Sequence, residues 1–129
     1  MTYVLDTHSV VWFLETSQRL GSRARDVLRG PSHTFILPTL VLVEITYLYT
    51  KGRIAVDAAM VQQRLVSASN CVLYPLDEQV AMLIPTGLNI HDAIIVATAL
   101  VYRDILHEPV TVITKNGEIT RSGLIDTVW

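Results

Sequence analysis

Three acidic residues lie at positions where their negative charge requires an explanation. Asp6 directly follows the apolar run Tyr3 to Leu5, and Asp92 directly precedes an uncharged apolar run. Glu44 has apolar neighbours on both sides along the chain. If these carboxylates converge, their mutual repulsion raises their pKa values unless a cation neutralises them. An all-oxygen ligand set suits Mg²⁺ or Mn²⁺, whereas zinc would call for histidine or cysteine, so the acids predict a magnesium or manganese site.

Such a site fits the hydrolysis of phosphodiester bonds. A divalent ion lowers the pKa of an attacking water, and in two-metal sites a second ion stabilises the leaving oxygen. The sequence leaves open whether one or two ions bind.

Each acid also has a local explanation. Asp6 and Asp92 could simply cap the helices that follow them, as aspartate often does. Glu44 could face solvent on a polar side of its helix that continues to Lys51. However, the helix around Glu44 is apolar on nearly every face, which predicts a buried helix, and no basic residue lies three or four positions away. We therefore expect Glu44 to be a buried acid that takes its cation from elsewhere in the fold.

The elements that must position these acids alternate between short strands and longer helices. Short, partly β-branched runs predict strands at 3–5, 35–37, 71–73, 110–113 and 126–129. Helical periodicity predicts helices at 8–15, 21–29, 39–50, 57–68, 77–84 and 93–103. This alternation predicts an α/β fold with three layers, α/β/α, around a central, mainly parallel sheet.

The carboxyl edge of such a sheet is where ligands bind, because the loops and helix N-termini converge there. Asp6 follows the first predicted strand, and Thr114, Lys115 and Asn116 follow the fourth. Asp92 is expected to open the last long helix, whereas Glu44 must reach this edge from within its own helix.

Composition restricts the class of protein. The 129 residues fit one domain, 1–129, and half of them are apolar. With 10 basic and 12 acidic residues the formal charge is −2, so any RNA contact must come from a local patch. No stretch is long enough to span a membrane, the N-terminus lacks a basic leader, and Cys71 is alone, which together predict a cytoplasmic protein.

Four fragments of the chain, in their order and spacing, resemble a known family. They are residues 3–8, 43–45 leading to 51–54, 91–99, and 112–116. The chain resembles the PIN domain nearly end to end, and within it the VapC toxins of bacterial and archaeal toxin-antitoxin modules. The resemblance implies a metal-dependent endoribonuclease whose acidic residues are Asp6, Glu44 and Asp92. It also implies an RNA substrate, a small antitoxin partner and a homodimer.

One position departs from the family pattern. The family usually has aspartate just after the threonine of the last motif, where this chain has Asn116. We expect an amide oxygen there to ligate the metal or a metal-bound water without adding charge, so that a second ion binds less tightly, with Glu118 as a possible substitute. Thr114 would support the site, and Lys115 and Arg121 would contact phosphate. The departure keeps an alternative open, a catalytically silent PIN fold that binds RNA or protein.

Other readings of the same residues are weaker. A His91-Asp92 metal pair is typical of an all-helical phosphohydrolase, which the strand pattern disfavours. A covalent Asp6 nucleophile would need a second acid two residues later, where the chain has His8. The arginine cluster around the second predicted helix is interpreted mainly as a solvent-exposed surface, and contacts to RNA phosphates or to an acidic partner are left open. Its members are arginines 19, 23, 25 and 29. Trp12, Phe13 and Trp129 are expected to pack in the core.

Overall fold

The sheet of the computed structural model, which describes residues 1–129, has five strands that are all parallel. Their order is β3-β2-β1-β4-β5. The strands are β1 Thr2–Leu5, β2 Thr34–Pro38, β3 Cys71–Tyr74, β4 Val110–Ile113 and β5 Asp126–Val128. All five predicted strands are therefore present, and the predicted parallel sheet is confirmed.

Seven α-helices connect the strands. They are α1 Thr7–Leu14, α2 Ser22–Arg29, α3 Thr39–Thr50, α4 Ala58–Val61, α5 Glu78–Met82, α6 Ile90–Leu100 and α7 Gly117–Ser122. The six predicted helices are present with shifted ends, and α4 and α6 each continue into a π-helical turn, at Gln62–Val66 and Val101–Ile105. The short α7 was not predicted. No helix is long and apolar enough to cross a membrane.

Two apolar clusters, one on each face of the sheet, give the molecule its three layers. Successive strand residues point to opposite faces, so Val4 and Leu5 of β1 belong to different clusters. Leu5 packs with buried residues of α1, α2 and α3, whereas Val4 packs with those of α6 and α7. The predicted α/β/α architecture is therefore confirmed.

Helix α3 differs from its prediction as a helix buried on nearly every side. Val41 and Ile45 are fully buried, but Val43 is 64% exposed and Tyr47 is 56% exposed. The helix packs against the rest of the fold along one side only, because its neighbours α1, α4, α6 and β2 leave the opposite side open. The prediction of a buried helix was wrong, and α3 presents an apolar face to solvent.

The register of β1 and β4 sets the position of the functional cleft. Leu5 pairs with Ile113, so Asp6 and Thr114 leave the sheet side by side at its carboxyl edge. β2 lies on one side of β1 and β4 lies on the other, so the strand order reverses direction at β1. The carboxyl edge at β1 is therefore a topological switch point. Parallel α/β sheets bind their ligands in the crevice at such a point.

Candidate active site

A cleft of about 510 Å³ opens at this switch point. Its walls bring together five of the residues that the sequence singled out: Asp6, Glu44, Asp92, Lys115 and Asn116. The other residues that line it are Thr7, His8, Trp12, Asn89 and Ile95.

Asp6 caps α1 and lines the cleft at the same time. Its Oδ1 accepts a 2.8 Å hydrogen bond from the Ser9 amide, and its carbonyl accepts a 2.9 Å bond from the Ser9 hydroxyl. The side chain is almost fully buried, and this desolvation raises its pKa. Hydrogen bonds from Thr114 and Ser9 partly offset the effect. The capping role and the placement in the cleft are therefore compatible.

Glu44 reaches the cleft from α3 with a half-buried carboxylate. Desolvation is the main cause of its raised pKa; the nearby His91 lowers it, and the negative charge of Asp92 raises it further. The nearest basic side chain is His91, whose Nδ1 lies 3.8 Å from Glu44 Oε2. The partner of Glu44 thus comes from another helix, α6. The buried Thr7 hydroxyl lies near Glu44, but it has no hydrogen-bond partner in good geometry.

Asp92 lies in the first turn of α6 and does not cap it, so the expectation that Asp92 opens the helix was wrong. Asn89 is the N-cap, and its Oδ1 accepts a 3.0 Å hydrogen bond from the Asp92 amide. In return, Asn89 Nδ2 donates to Asp92 Oδ2 over 2.7 Å. The Asn116 side chain donates a second 2.7 Å bond to the same oxygen. Two amides therefore hold one oxygen of this carboxylate.

Asn116 caps α7, the helix that the sequence did not predict. Its Oδ1 accepts hydrogen bonds from the amides of Glu118 at 2.8 Å and Ile119 at 3.4 Å. Its own amide donates a 3.0 Å bond to Thr114 Oγ1, which ties the turn to the end of β4. The amide oxygen expected to ligate metal is engaged in the cap, so the predicted ligand role of Asn116 does not fit this arrangement.

An aromatic ring with cations around it forms one wall of the cleft. Lys115 Nζ lies 5.6 Å from the centre of the Trp12 ring, and the Arg19 guanidinium lies 6.0 Å from it. The centres of the His8 and Trp12 rings are 5.0 Å apart. Phe13 and Trp129 pack against the core as expected, but Trp12 is half-buried and also lines the cleft.

Arg121 and Glu118 are not part of the cleft. They line a separate depression, together with residues 86–88, 122 and 124. Two residues of the cleft that the sequence analysis missed are Asn89 and Thr7. Asn89 has a recognisable signal, since a capping residue three positions before an acidic residue resembles a capping box.

The donor set of the cleft fits a partly hydrated Mg²⁺ or Mn²⁺. No three carboxylate, histidine or cysteine side chains lie close enough to enclose an ion. Mg²⁺, however, keeps several waters and is usually held by one or two carboxylates. The burial that raises the pKa values of Asp6 and Glu44, and the Thr7 hydroxyl without a partner, are consistent with a cation at this place.

The chain belongs to the PIN domain family, whose sequence pattern it matches over residues 3–122. The resemblance of its four fragments to that family is thus confirmed. None of the curated proteins compared with the chain matches its sequence significantly.

Solved structures of toxin-antitoxin complexes share the fold over nearly the whole chain. VapBC2 from Rickettsia felis, bound to a DNA fragment from its promoter, is 16% identical with a TM-score of 0.66, covering 99% of this chain and 98% of that one. A toxin-antitoxin complex from Klebsiella pneumoniae is 18% identical with a TM-score of 0.64, covering 98% and 96%. VapBC-1 from nontypeable Haemophilus influenzae is 14% identical with a TM-score of 0.66, covering 99% and 97%.

Proposed function

We propose that this PIN domain is a VapC-like toxin, an endoribonuclease that hydrolyses RNA phosphodiester bonds with Mg²⁺ or Mn²⁺. One observation carries the proposal: Asp6, Glu44 and Asp92 come from three distant parts of the sequence to one cleft, with Lys115 beside them. The cleft lies at the switch point of a parallel sheet, where this class of fold binds ligands.

Asp6 and Asp92 would hold the metal, and Glu44 would hold it directly or through a water. When bound, the ion would lower the pKa of an attacking water and neutralise charge on the phosphate. Burial favours cation binding by Asp6 and Glu44, because a nearby positive charge offsets the cost of desolvating a charged carboxylate. Thr114 fixes Asp6 in place, since its hydroxyl faces that carboxyl.

Lys115 and Trp12 would bind the RNA strand. The Lys115 ammonium is exposed at the edge of the cleft, where a phosphate would approach the carboxylates. An aromatic ring beside it offers a stacking surface for an unpaired base, which suits single-stranded RNA. Arg121 lines a separate depression and not the cleft, so we assign it no role in the cleft.

The open apolar face of α3 would receive a second copy of the chain. A depression of about 340 Å³ adjoins the cleft through Glu44, which lines both, and its other walls are Leu40, Val43, Tyr47, Leu48 and His91. Because the solved neighbours are toxin-antitoxin complexes, we propose that a small antitoxin inhibits this chain and that two copies form a homodimer. A nuclease that acts on cellular RNA would act in the cytoplasm.

A second candidate function is a silent PIN fold that binds RNA or protein without cutting it. It is favoured by the amide at position 116, where the family usually has a charged residue, and by the wide spacing of the potential metal ligands. In this case the cleft would bind RNA through Lys115 and Trp12 only.

Cleavage of a mixed RNA pool by purified, partner-free protein distinguishes the two candidates. The assay is run with Mn²⁺, Mg²⁺ or a chelator, on the wild type and on Asp92→Asn. Asp77→Asn is the matched control, because Asp77 caps α5 outside the cleft and asparagine caps equally well. The nuclease predicts internal cuts that need metal, persist in the control and vanish in Asp92→Asn. Folded wild type that never cuts RNA supports the silent module.

A further inference from the structure

Asn116 presents its nitrogen, and not its oxygen, to the cleft. Its Oδ1 accepts from two backbone amides of α7, and its Nδ2 donates to Asp92 Oδ2. The cap fixes the orientation of the side-chain amide, because a reversed amide would point hydrogens at two backbone N–H groups. The residue can therefore act on Asp92 but cannot offer an oxygen to a cation.

The two amides on Asp92 also restrict that carboxylate. Asn89 and Asn116 both donate to Oδ2 at 2.7 Å, which leaves Oδ1 as the oxygen without a hydrogen bond. Asp92 is thus held in one orientation without any metal. An aspartate at position 116 would instead place two carboxylates in contact, which repel unless a cation lies between them.

From this we infer that Asn116 is a positioning residue which builds a one-ion site: it orients Asp92 by hydrogen bonding and takes the place of a second cation. The inference rests on the proposed metal-dependent function. The formal charges agree with it, since the three carboxylates of Asp6, Glu44 and Asp92 offer fewer negative charges than two divalent ions carry, whereas an aspartate at position 116 would add a fourth.

The test measures Mn²⁺ binding by isothermal titration calorimetry and thermal unfolding with EDTA or Mn²⁺, at neutral pH. We expect one Mn²⁺ per wild-type chain and two for Asn116→Asp. In EDTA the aspartate variant should unfold roughly 5 °C below the wild type, because it loses one hydrogen bond and gains repulsion. Saturating Mn²⁺ should close this gap, because binding stabilises the folded state.

Two further variants separate positioning from general stability. Asn116→Ser keeps a capping oxygen but cannot donate to Asp92, so it should unfold earlier in both EDTA and Mn²⁺ while still binding one ion. Asn70→Asp is the matched control outside the cleft, because it removes an amide donor to the His33 carbonyl. Its unfolding shift should be the same with and without Mn²⁺.

The outcomes distinguish this inference from the function on which it rests. Two ions on the wild type would overturn the one-ion site, and one ion on both the wild type and Asn116→Asp would overturn the role of Asn116 in it. Either result would leave the nuclease proposal standing. A wild-type chain that binds no Mn²⁺ would overturn the metal-dependent function itself.

Discussion

Asn89 and Asp92 hold each other by two reciprocal hydrogen bonds, from the Asp92 amide to Asn89 Oδ1 and from Asn89 Nδ2 to Asp92 Oδ2. The first bond starts α6, and the second orients a proposed metal ligand. The same side chain therefore serves both the stability of the helix and the geometry of the cleft.

Replacing Asn89 should separate these two roles. Asn89→Ala should lower the free energy of unfolding by about 1 kcal/mol through the lost cap, and weaken Mn²⁺ binding by roughly 10- to 100-fold. Asn89→Ser keeps a cap, so it should be nearly as stable as the wild type yet bind Mn²⁺ as weakly as the alanine variant. Denaturant unfolding and calorimetry give the two values. Unchanged Mn²⁺ affinity in both variants would show that Asn89 only caps the helix.

The buried carboxylate of Asp6 should make the metal-free protein less stable as the pH rises. Desolvation raises the pKa of Asp6 above its ordinary value of 3.8, so the folded state binds this proton more tightly than the unfolded chain. The resulting stability is complete below the unfolded pKa and is lost as the pH rises through the folded one. Asp6→Asn should therefore raise the melting temperature in EDTA at pH 7, with the gain vanishing near pH 4.

A carboxylate with the opposite shift provides the control for Asp6. Arg103 lowers the pKa of the exposed Asp104, so its small contribution is present at neutral pH and is lost on acidification. Asp104→Asn should lower the melting temperature slightly at pH 7 and still at pH 4, and the difference should disappear only as the pH falls well below the ordinary value of 3.8. A gain for Asp6→Asn that does not depend on pH would contradict the desolvation argument.

Lys115 and Trp12 should affect RNA binding in different ways. In the Asp92→Asn background, Lys115→Gln should reduce the salt dependence of single-strand RNA binding by about 0.7 in the log-log slope, as expected for one phosphate contact. Trp12→Leu should weaken binding by roughly 1–3 kcal/mol and leave the slope unchanged, because stacking releases no counterions. Fluorescence anisotropy at several salt concentrations measures both. Arg121→Gln is the matched control and should match the parent protein.

The open face of α3 should determine self-association. Tyr47 is 56% exposed on this face, and a charge there would have to be desolvated in any apolar interface. Tyr47→Glu should convert a dimer to a monomer in light scattering, and circular dichroism should show that the monomer is folded. Leu106→Glu changes an apolar side chain that is 48% exposed but does not line the α3 depression, and it should leave the oligomeric state unchanged. A monomeric wild type would remove the proposed homodimer.

The sheet and its functional edge could be predicted because short β-branched strands and long helices differ in period and length. That difference placed Asp6 after β1 and Lys115 after β4, and parallel strands bring such positions to one edge. The exposure of Val43 on α3 could not be predicted, because periodicity alone does not separate a face that meets the core from one that meets another protein.

Short-range hydrogen bonds were the other feature that the sequence did not reveal. Helix α7 has six residues and too little apolar periodicity to be recognised, so the capping role of Asn116 went unseen. Asn89 was missed because the helix pattern begins at Ala93, one turn after the true cap. In both cases the asparagine side chain can form hydrogen bonds with more than one set of nearby backbone groups. Only the tertiary fold determines which of these hydrogen bonds forms.

The central position of β1 has a consequence for synthesis of the protein. β1 is made before the other four strands of this sheet, yet its neighbour β4 begins at Val110, and the cleft also needs Lys115 and Asn116. Contacts so far apart in sequence form late in folding. A chain that lacks β4 and the residues after it has no assembled cleft, so the proposed nuclease cannot be active before Lys115 and Asn116 have been made.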